Sequence, residues 1–357
     1  MIGVFMNKRP LNSMIRGNTS YEKLEFYRHF VDTFKEPLCF YSLDNIDPYR
    51  ASIDGYVLLP GKNLTQAEVR VPEHHFSRAI IYRQRNLNKI KKFIRNHRTR
   101  FYQFQSKKER NKWTNYELLN NVPEIKSHLP ETYPLTWDNV IKILERYKQA
   151  IVKPIYGSLG KKVVLIEKRG QIYTIKEKNE FRLVHSEVAL EHLEMYYLSK
   201  FKRPKRFIVQ QKVNTDRFRH RIYECRVSVQ KTSSGEWEVT GWAVRLAQKG
   251  DYLTNVSQGS EIIPFSRIFN PKSDTAYTIR DVTTRIAKQF EKHFPDTIDL
   301  GIDLMLDNNK HVWFIEANLR DQRLSYYNDR EMWRRTTITP LVFIQNQMVS
   351  ESVTKDG

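Results

Sequence analysis

The stretch Ile151-Val-Lys-Pro-Ile-Tyr-Gly-Ser-Leu-Gly-Lys-Lys-Val-Val-Leu-Ile166 constrains the fold of this chain more than any other. Ala150-Ile151-Val152 is a short apolar run. Val163-Val164-Leu165-Ile166 is a continuous, mostly β-branched one, so the pattern reads strand, loop, strand. Between the two stand Lys153, Pro154, Gly157, Ser158, Gly160, Lys161 and Lys162. Two glycines three apart let a backbone bend closely around a ligand. Ser158 adds a hydroxyl, and the amides of such a loop can point at phosphate oxygens. This is not a Walker A loop, because the glycine spacing is wrong and no helix follows. Taken alone, the stretch fits a basic hairpin as well as a phosphate cradle.

The 357 residues suffice for two or three domains. Lys and Arg number 60 against 40 Asp and Glu, a net charge of +20. That excess points to an anionic partner, whether nucleotide, nucleic acid, wall polymer or acidic substrate. The apolar and aromatic content belongs to a folded chain, not a disordered one. Cys39 and Cys225 are two lone thiols, which excludes a disulfide framework and a cysteine zinc site. Both lie among apolar residues and are expected in the core. Met1 to Met6 reads as a first strand, not a signal peptide. No apolar run approaches the roughly 20 residues that span a bilayer. The expected location is the cytoplasm.

Along the chain, strands are expected at 2–6, 37–42, 54–60 and 78–83, with a helix at 24–34 whose apolar residues recur at helical period. This alternation predicts a small α/β domain. Residues 83–112 carry twelve Lys and Arg against Glu109, with Phe93, Phe101, Tyr102 and Phe104 interleaved. The favoured reading is a solvated helical face with its aromatics packed inward; binding of nucleic acid or another polyanion is the alternative. Helices are expected at 111–120, 138–147, 186–198 and 274–294, with Asp138 near the start of the second. Strands are expected at 171–175 and 207–213. In Tyr223–Gln230, Cys225, Val227 and Val229 should share one face, and Glu224, Arg226 and Ser228 the other. Trp237–Leu246 should return as its hairpin partner. A second hairpin joins 299–306 to 311–318, and last helices end in a polar tail at 350–357.

That second hairpin carries Asp303 on one strand and Glu316 and Asn318 on the other. Glu316 and Asn318 are two apart and leave the same face. An oxygen-only trio on rigid strands suits Mg²⁺, a hard cation that takes few carboxylates together with substrate phosphates. The plain alternative is a set of solvent-facing polar residues. Lys112, Lys153, Arg226 and Arg245 are candidate phosphate-binding cations, each equally readable as a surface charge.

The order of these pieces resembles the ATP-grasp superfamily, and within it the YheC/YheD-type endospore coat-associated proteins. The resemblance rests on Asn111-Lys-Trp, His128-Leu-Pro-Glu-Thr132, Val152 to Gly160, Phe207-Ile-Val-Gln-Gln211, Tyr223 to Gln230, Val239 to Arg245, Thr254 to Gly259, Gly301-Ile-Asp-Leu and Phe314-Ile-Glu-Ala-Asn318. It implies an α/β (α+β) ATP-grasp fold with nucleotide held between two sheets. The implied divisions are an N-terminal pre-ATP-grasp domain (1–104), connecting helices (105–149), a small lid subdomain (150–210), a C-terminal subdomain with the metal site (211–350) and a tail (351–357).

The resemblance also implies roles. Lys112 and Lys153 would contact ATP phosphates, and Gly157, Ser158 and Gly160 would close over them. Gln210, Gln211 and Val213 would frame the adenine, and Asp216 or Asn214 would hold the ribose. Asp303, Glu316 and Asn318 would hold one or two Mg²⁺. Arg226, Arg245 and Asn255 would stabilise the transferring phosphate. The implied activity is ATP-dependent joining of a carboxylate (amino acid, peptide or acidic polymer) to an amine through an acyl-phosphate. A nucleotide-binding, spore-associated structural protein is the alternative, and neither a membrane nor nucleic acid is the expected partner. Three departures stand out. Gln210 occupies a position where Glu is frequent, Lys161-Lys162 follows the loop where a smaller Gly-containing pair is common, and Leu319-Arg-Asp-Gln322 lacks the small residues that often follow the metal strand in peptide-forming ligases.

Overall fold

The computed structural model describes residues 1–18, 22–104, 109–157, 160–179 and 182–355. The first apolar run does form a strand, and it becomes the centre of a sheet. Strands β1 (Ile2–Phe5), β2 (Leu38–Tyr41), β3 (Ser52–Leu58), β4 (Thr65–Arg70), β5 (His74–Ser77) and β6 (Arg100–Tyr102) are ordered β4-β3-β2-β1-β5-β6. β1 pairs in parallel with β2 and β5, and β5 with β6. Parallel neighbours need crossovers. Helices α1 (Lys8–Ile15) and α2 (Leu24–Phe34) supply one, and α3 (Gln84–His97) another. The helical period of α2 buries Tyr27, Phe30 and Val31 against β1 and β2. The strand expected at 78–83 lies instead at β5. The chain leaves the sheet there because Arg78 turns inward to meet buried carboxylates.

Next come α4 (Lys112–Asn120), α5 (Pro123–Lys126), β7 (Thr132–Pro134) and α6 (Trp137–Tyr147). They are followed by β8 (Gln149–Pro154), β9 (Val164–Arg169), β10 (Ile172–Asn179), β11 (Arg182–Val188), α7 (Leu190–Lys200) and β12 (Phe207–Gln211). The strands form an antiparallel sheet, β11-β10-β9-β8-β12-β7. Thr136 caps α6 by accepting from the Asn139 amide at 3.2 Å, and Asp138 stands in its first turn. Val140, Ile143 and Leu144 of α6 pack on Val152, Ile166 and Val209. The helix expected from 186 begins only at Leu190, because residues through Val188 pair with β10.

The third sheet comprises β13 (Arg217–Phe218), β14 (Arg221–Lys231), β15 (Trp237–Leu246), β16 (Glu261–Pro264), β17 (Asp299–Leu306) and β18 (Val312–Asn318). Its main path is β16-β15-β14-β17-β18. The alternation in β14 is realised: Cys225, Val227 and Val229 pack with Leu300, Ile302 and Leu304 against Ile279, Val282 and Phe290 of α8 (Asp274–His293).

Helix α9 (Arg330–Lys355) ties the first sheet to the third. It continues through residues expected to form a polar tail. Leu341, Phe343 and Ile344 join the core of the first sheet. Pro340 lies inside α9 and has no N–H to offer the Thr336 carbonyl one turn back. That carbonyl accepts instead from Arg323 Nε at 2.8 Å and Gln230 Nε2 at 2.7 Å.

These bonds belong to a buried knot between sheets. Asp299 Oδ2 accepts from Arg78 at 3.1 Å and from Arg323 at 2.7 Å, while Asp299 Oδ1 accepts from Gln230 at 2.8 Å. Glu22 Oε1 accepts from Arg78 Nε at 2.9 Å, and Arg78 also donates to the Asp321 carbonyl at 2.7 Å. The Arg78 and Asp299 side chains are both 0% exposed. Removing one partner of a buried pair strands the other. Arg78→Met is therefore expected to lower the unfolding free energy by about 3–5 kcal/mol, measured by urea denaturation. A loss below about 1 kcal/mol, the range of an exposed pair, would mean that the knot does not hold the sheets together.

Candidate functional site

Strand register builds the site. Glu224 lies opposite Arg245, Arg226 opposite Asp303, and Asp303 opposite Glu316. Opposed residues of antiparallel strands share a face. These five charged side chains therefore converge on the face turned away from α8. The β17–β18 register shifts between Asp303 and Leu304, leaving Ile315 unopposed. Such bulges re-aim side chains, and Ile315 and Glu316 both line one cleft.

The second sheet forms the other wall. Lys153 enters from β8, Gln210 and Gln211 from β12, and Lys212 and Val213 from the segment that follows. Ile151, Val163 and Met305 give the cleft apolar surfaces. Gly157 and Gly160 stand at its rim with φ of 155° and 66°, values that favour glycine. A Cβ on Gly160 would lie 3.1 Å from Asn255 Nδ2, so the loop runs close over Asn255. Ser158 lies outside the described residues. Lys161 also lines the cleft. Lys162 adopts a left-handed φ of 61°, uncommon without glycine.

Lys112 opens α4, whose Asn111 cap accepts from the Trp113 amide at 2.9 Å. Its Nζ donates to the Gly157 carbonyl at 2.8 Å and sits 3.2 Å from Glu316 Oε2. One side chain thus joins the glycine loop to the carboxylate strand. Lys153 is 7% exposed, and its Nζ donates to the Ile315 carbonyl at 3.3 Å. Burial, with Lys112 nearby, pushes its amine down to about 8 against the pull of Glu316. Burial favours the neutral form of Glu316 too, but Lys112, Lys153 and Arg226 outweigh it and hold the carboxyl down to about 2. For Asp303 burial wins: with Glu224 and Glu316 it overrides Arg226 and Arg245 and raises the carboxyl to about 7.

Of the residues expected at the site, Lys112, Lys153, Gly157, Gly160, Gln210, Gln211, Val213, Arg245, Asn255, Asp303 and Glu316 line this cleft. Arg226 and Asn318 stand beside Asp303 and do not line it. Arg226 Nε is 3.1 Å from Asp303 Oδ1, and Asn318 Nδ2 donates to Asp303 Oδ2 at 3.1 Å. The Arg226 guanidinium fills space left by Gly301, where a Cβ would fall 2.6 Å from its NH1. Asp216 is not brought in: it accepts from Tyr223 at 3.0 Å and from Lys310, and Asn214 is exposed. Asp303, Glu316 and Asn318 offer oxygen donors only, with Cys225 turned into the opposite core. Among the described residues no three His, Cys, Asp or Glu cluster as a ready metal site. Oxygen donors of this kind are those that suit a hard divalent cation bringing further oxygen ligands with it.

The model of the YheC/D-like ATP-grasp family matches residues 101–345. The chain belongs to that family. It is similar to two endospore coat-associated proteins of Bacillus subtilis. YheD is 25% identical over 222 residues, covering 60% of this chain and 48% of that protein; YheC is 24% identical over 233 residues, covering 60% of each. The chain thus spans about half of one relative and three fifths of the other. Among solved structures it is similar to a D-cycloserine synthetase (TM-score 0.55, 12% identity, 96% and 99% of the two chains). Others are D-alanyl-alanine synthetase A of Vibrio cholerae (0.52, 10%, 97% and 99%) and a Microcystis aeruginosa macrocyclase bound to its precursor peptide (0.52, 10%, 97% and 100%). At such identities these likenesses carry the fold alone. The mixed α/β ATP-grasp architecture expected from the ordered motifs is the one present.

Sequence reasoning missed Glu224 and Thr254. Glu224 is 7% exposed, lines the cleft, and accepts from Arg245 at 3.0 Å and Thr254 Oγ1 at 2.9 Å. Its place two residues before Arg226 was the available signal. Thr254 lies in a loop without periodicity, and its place at the head of the Thr254 to Gly259 stretch was its one signal.

The depressed Lys153 amine has a consequence for folding. Between about pH 8 and 10.5 the unfolded chain binds that proton and the folded chain does not. Stability from this group therefore rises with pH across the window and is lost as pH falls to 8. Lys153→Met is expected to flatten that slope, read as the difference between the two proteins in unfolding free energy against pH. Parallel curves would contradict it.

Proposed function

We propose that the cleft binds ATP with Mg²⁺ and that the chain is a carboxylate–amine ligase. The observation that carries this reading is the meeting of two lysines from the second sheet's side with the carboxylates of the third: Lys112 lies 3.2 Å from Glu316, and Lys153 reaches the Ile315 carbonyl at 3.3 Å. Phosphoryl transfer is mostly positioning and charge neutralisation. In this reading Lys112 and Lys153 bind phosphate oxygens, and Gly157 and Gly160 stand over them. Gln210, Gln211 and Val213 line the adenine end, where Ile151 and Met305 supply apolar contact. Arg245 and Asn255 face the transferring group, and Arg226 fixes Asp303. Asp303, Glu316 and Asn318 would hold Mg²⁺, which neutralises phosphate charge when bound. Asp216, tied to Tyr223 and Lys310, is left without a ribose role.

The reaction transfers the γ-phosphoryl group to a carboxylate oxygen and releases ADP. The amine nitrogen then attacks the acyl carbon. The carbon–oxygen bond to phosphate breaks, and the amine proton passes to solvent. Nucleotide binding without turnover, in a spore-associated structural protein, is the second reading, and the names of the two Bacillus relatives favour it.

ATP and Mg²⁺ together should raise the melting temperature by a few degrees at tenfold saturation, and Glu316→Ala should remove the shift. Native protein offered carboxylate and amine pools should release ADP, and Asp303→Ala should abolish that release. A melting temperature unmoved by millimolar ATP would overturn the site. A shift without ADP release from any pool would leave the structural reading.

A further inference from the structure

Helix α3 carries no acidic residue in its 14 residues. Arg85, Lys89, Lys91, Lys92 and Arg95, with Arg98 at its end, fall at spacings of three and four, where like charges on a helix repel. Among the described residues none of these six makes an ion pair with a carboxylate. Elsewhere on the surface pairing is common, as in Arg146–Glu131, Arg221–Glu261 and Arg330–Glu25. Lys89 and Lys92 lean on the neighbouring loop, through the Leu43 carbonyl and the Tyr49 hydroxyl. Arg85, Lys91, Arg95 and Arg98 are exposed. Residues 83–112 hold twelve cations and one acid, an excess of eleven out of the chain's net +20. A charge concentration that works against its own helix, with no carboxylate partner among the described residues, points to an external one.

The position of α3 links this face to the cleft. Lys112 lines the cleft. Two residues earlier, Arg110 donates to the Ile81 carbonyl at 2.9 Å and lies 5.0 Å from the Tyr82 ring centre. Arg83 is the N-cap of α3. Cationic side chains therefore run from the cleft mouth onto the helix and along its length of about 21 Å, the span of roughly six extended residues.

We propose that α3 is the docking face for an acidic polypeptide, rich in Glu or Asp, whose side-chain carboxylates are the class of substrate activated in the cleft. This rests on the ligase reading for the substrate role, but not for the docking. Carboxylate rather than nucleic acid fits the face because its run of cations leads through Arg110 to Lys112 at the cleft, where the ligase reading places a carboxylate. Tyr49 and Tyr82 are exposed but stand singly, each against a cation (Lys92 and Arg110), and Phe93 of α3 is buried, so the helix itself offers no row of rings for successive bases.

The test measures anisotropy of a fluorescein-labelled peptide of twelve glutamates against the full chain without ATP. Twelve glutamines and a thymidine oligonucleotide of equal charge serve as comparisons. The glutamate peptide should bind at low salt and weaken as salt rises, and the glutamine peptide should not bind. The triple variant R85E/K91E/R95E should bind the glutamate peptide at least about tenfold more weakly, as the sum of several modest charge contacts, with its ATP-induced melting shift intact. No binding at low salt, equal binding by the triple variant, or tighter binding of the oligonucleotide would overturn the proposal. Docking without ADP release would sink the ligase reading alone. Release of ADP from small carboxylates, with no affinity for the glutamate peptide, would sink the docking alone.

Discussion

Asp299 shares one carboxylate oxygen between two buried arginines, and the arrangement of the first and third sheets hangs on that sharing. Arg78 comes from the end of β5, Arg323 from the segment after β18, and Gln230 from β14. Charges in such a place are tolerable only when every one is matched. That condition leaves little freedom for the sheets to slide or rotate against one another. Asp303 is four residues further along β17, on the same face as Asp299. Fixing one end of that strand therefore fixes the depth at which the other presents its carboxylate.

The cleft obeys the same rule with weaker enforcement. Glu316 is matched by Lys112, Glu224 by Arg245, and Asp303 by Arg245 and Arg226. Every one of these pairs joins different elements, and the Lys112 pair joins the connector helix to the third sheet. The cleft can thus exclude much of its water without leaving a carboxylate unmatched. The same cations remain within reach of any anion that enters.

Much of this was legible in the sequence, for identifiable reasons. Period-two alternation placed Cys225, Val227 and Val229 in the core, and with them the charged face of β14. The spacing of Asp303, Glu316 and Asn318 located the carboxylate hairpin. What failed depended on contacts between distant segments. Arg78 looked like the start of a strand, because nothing nearby says that Glu22 and Asp299 draw it inward. Asp216 looked like a ligand residue, but Tyr223 and Lys310 take its oxygens. Pro340 would ordinarily mark a helix end, yet α9 runs through it because two side chains satisfy the carbonyl it leaves open. Glu224 sat in plain alternation, yet its partner Thr254 lies 30 residues on in a loop.

The contacts of Gly301 with Arg226 and Asp321 bind three positions into one unit of variation. The guanidinium of residue 226 and the carboxylate of residue 321 both occupy the volume that a side chain at 301 would need. A larger residue at 301 demands that both draw back, and the loss of the arginine leaves a hollow beneath Asp303. Descendants of this sequence should change these residues together or keep all three.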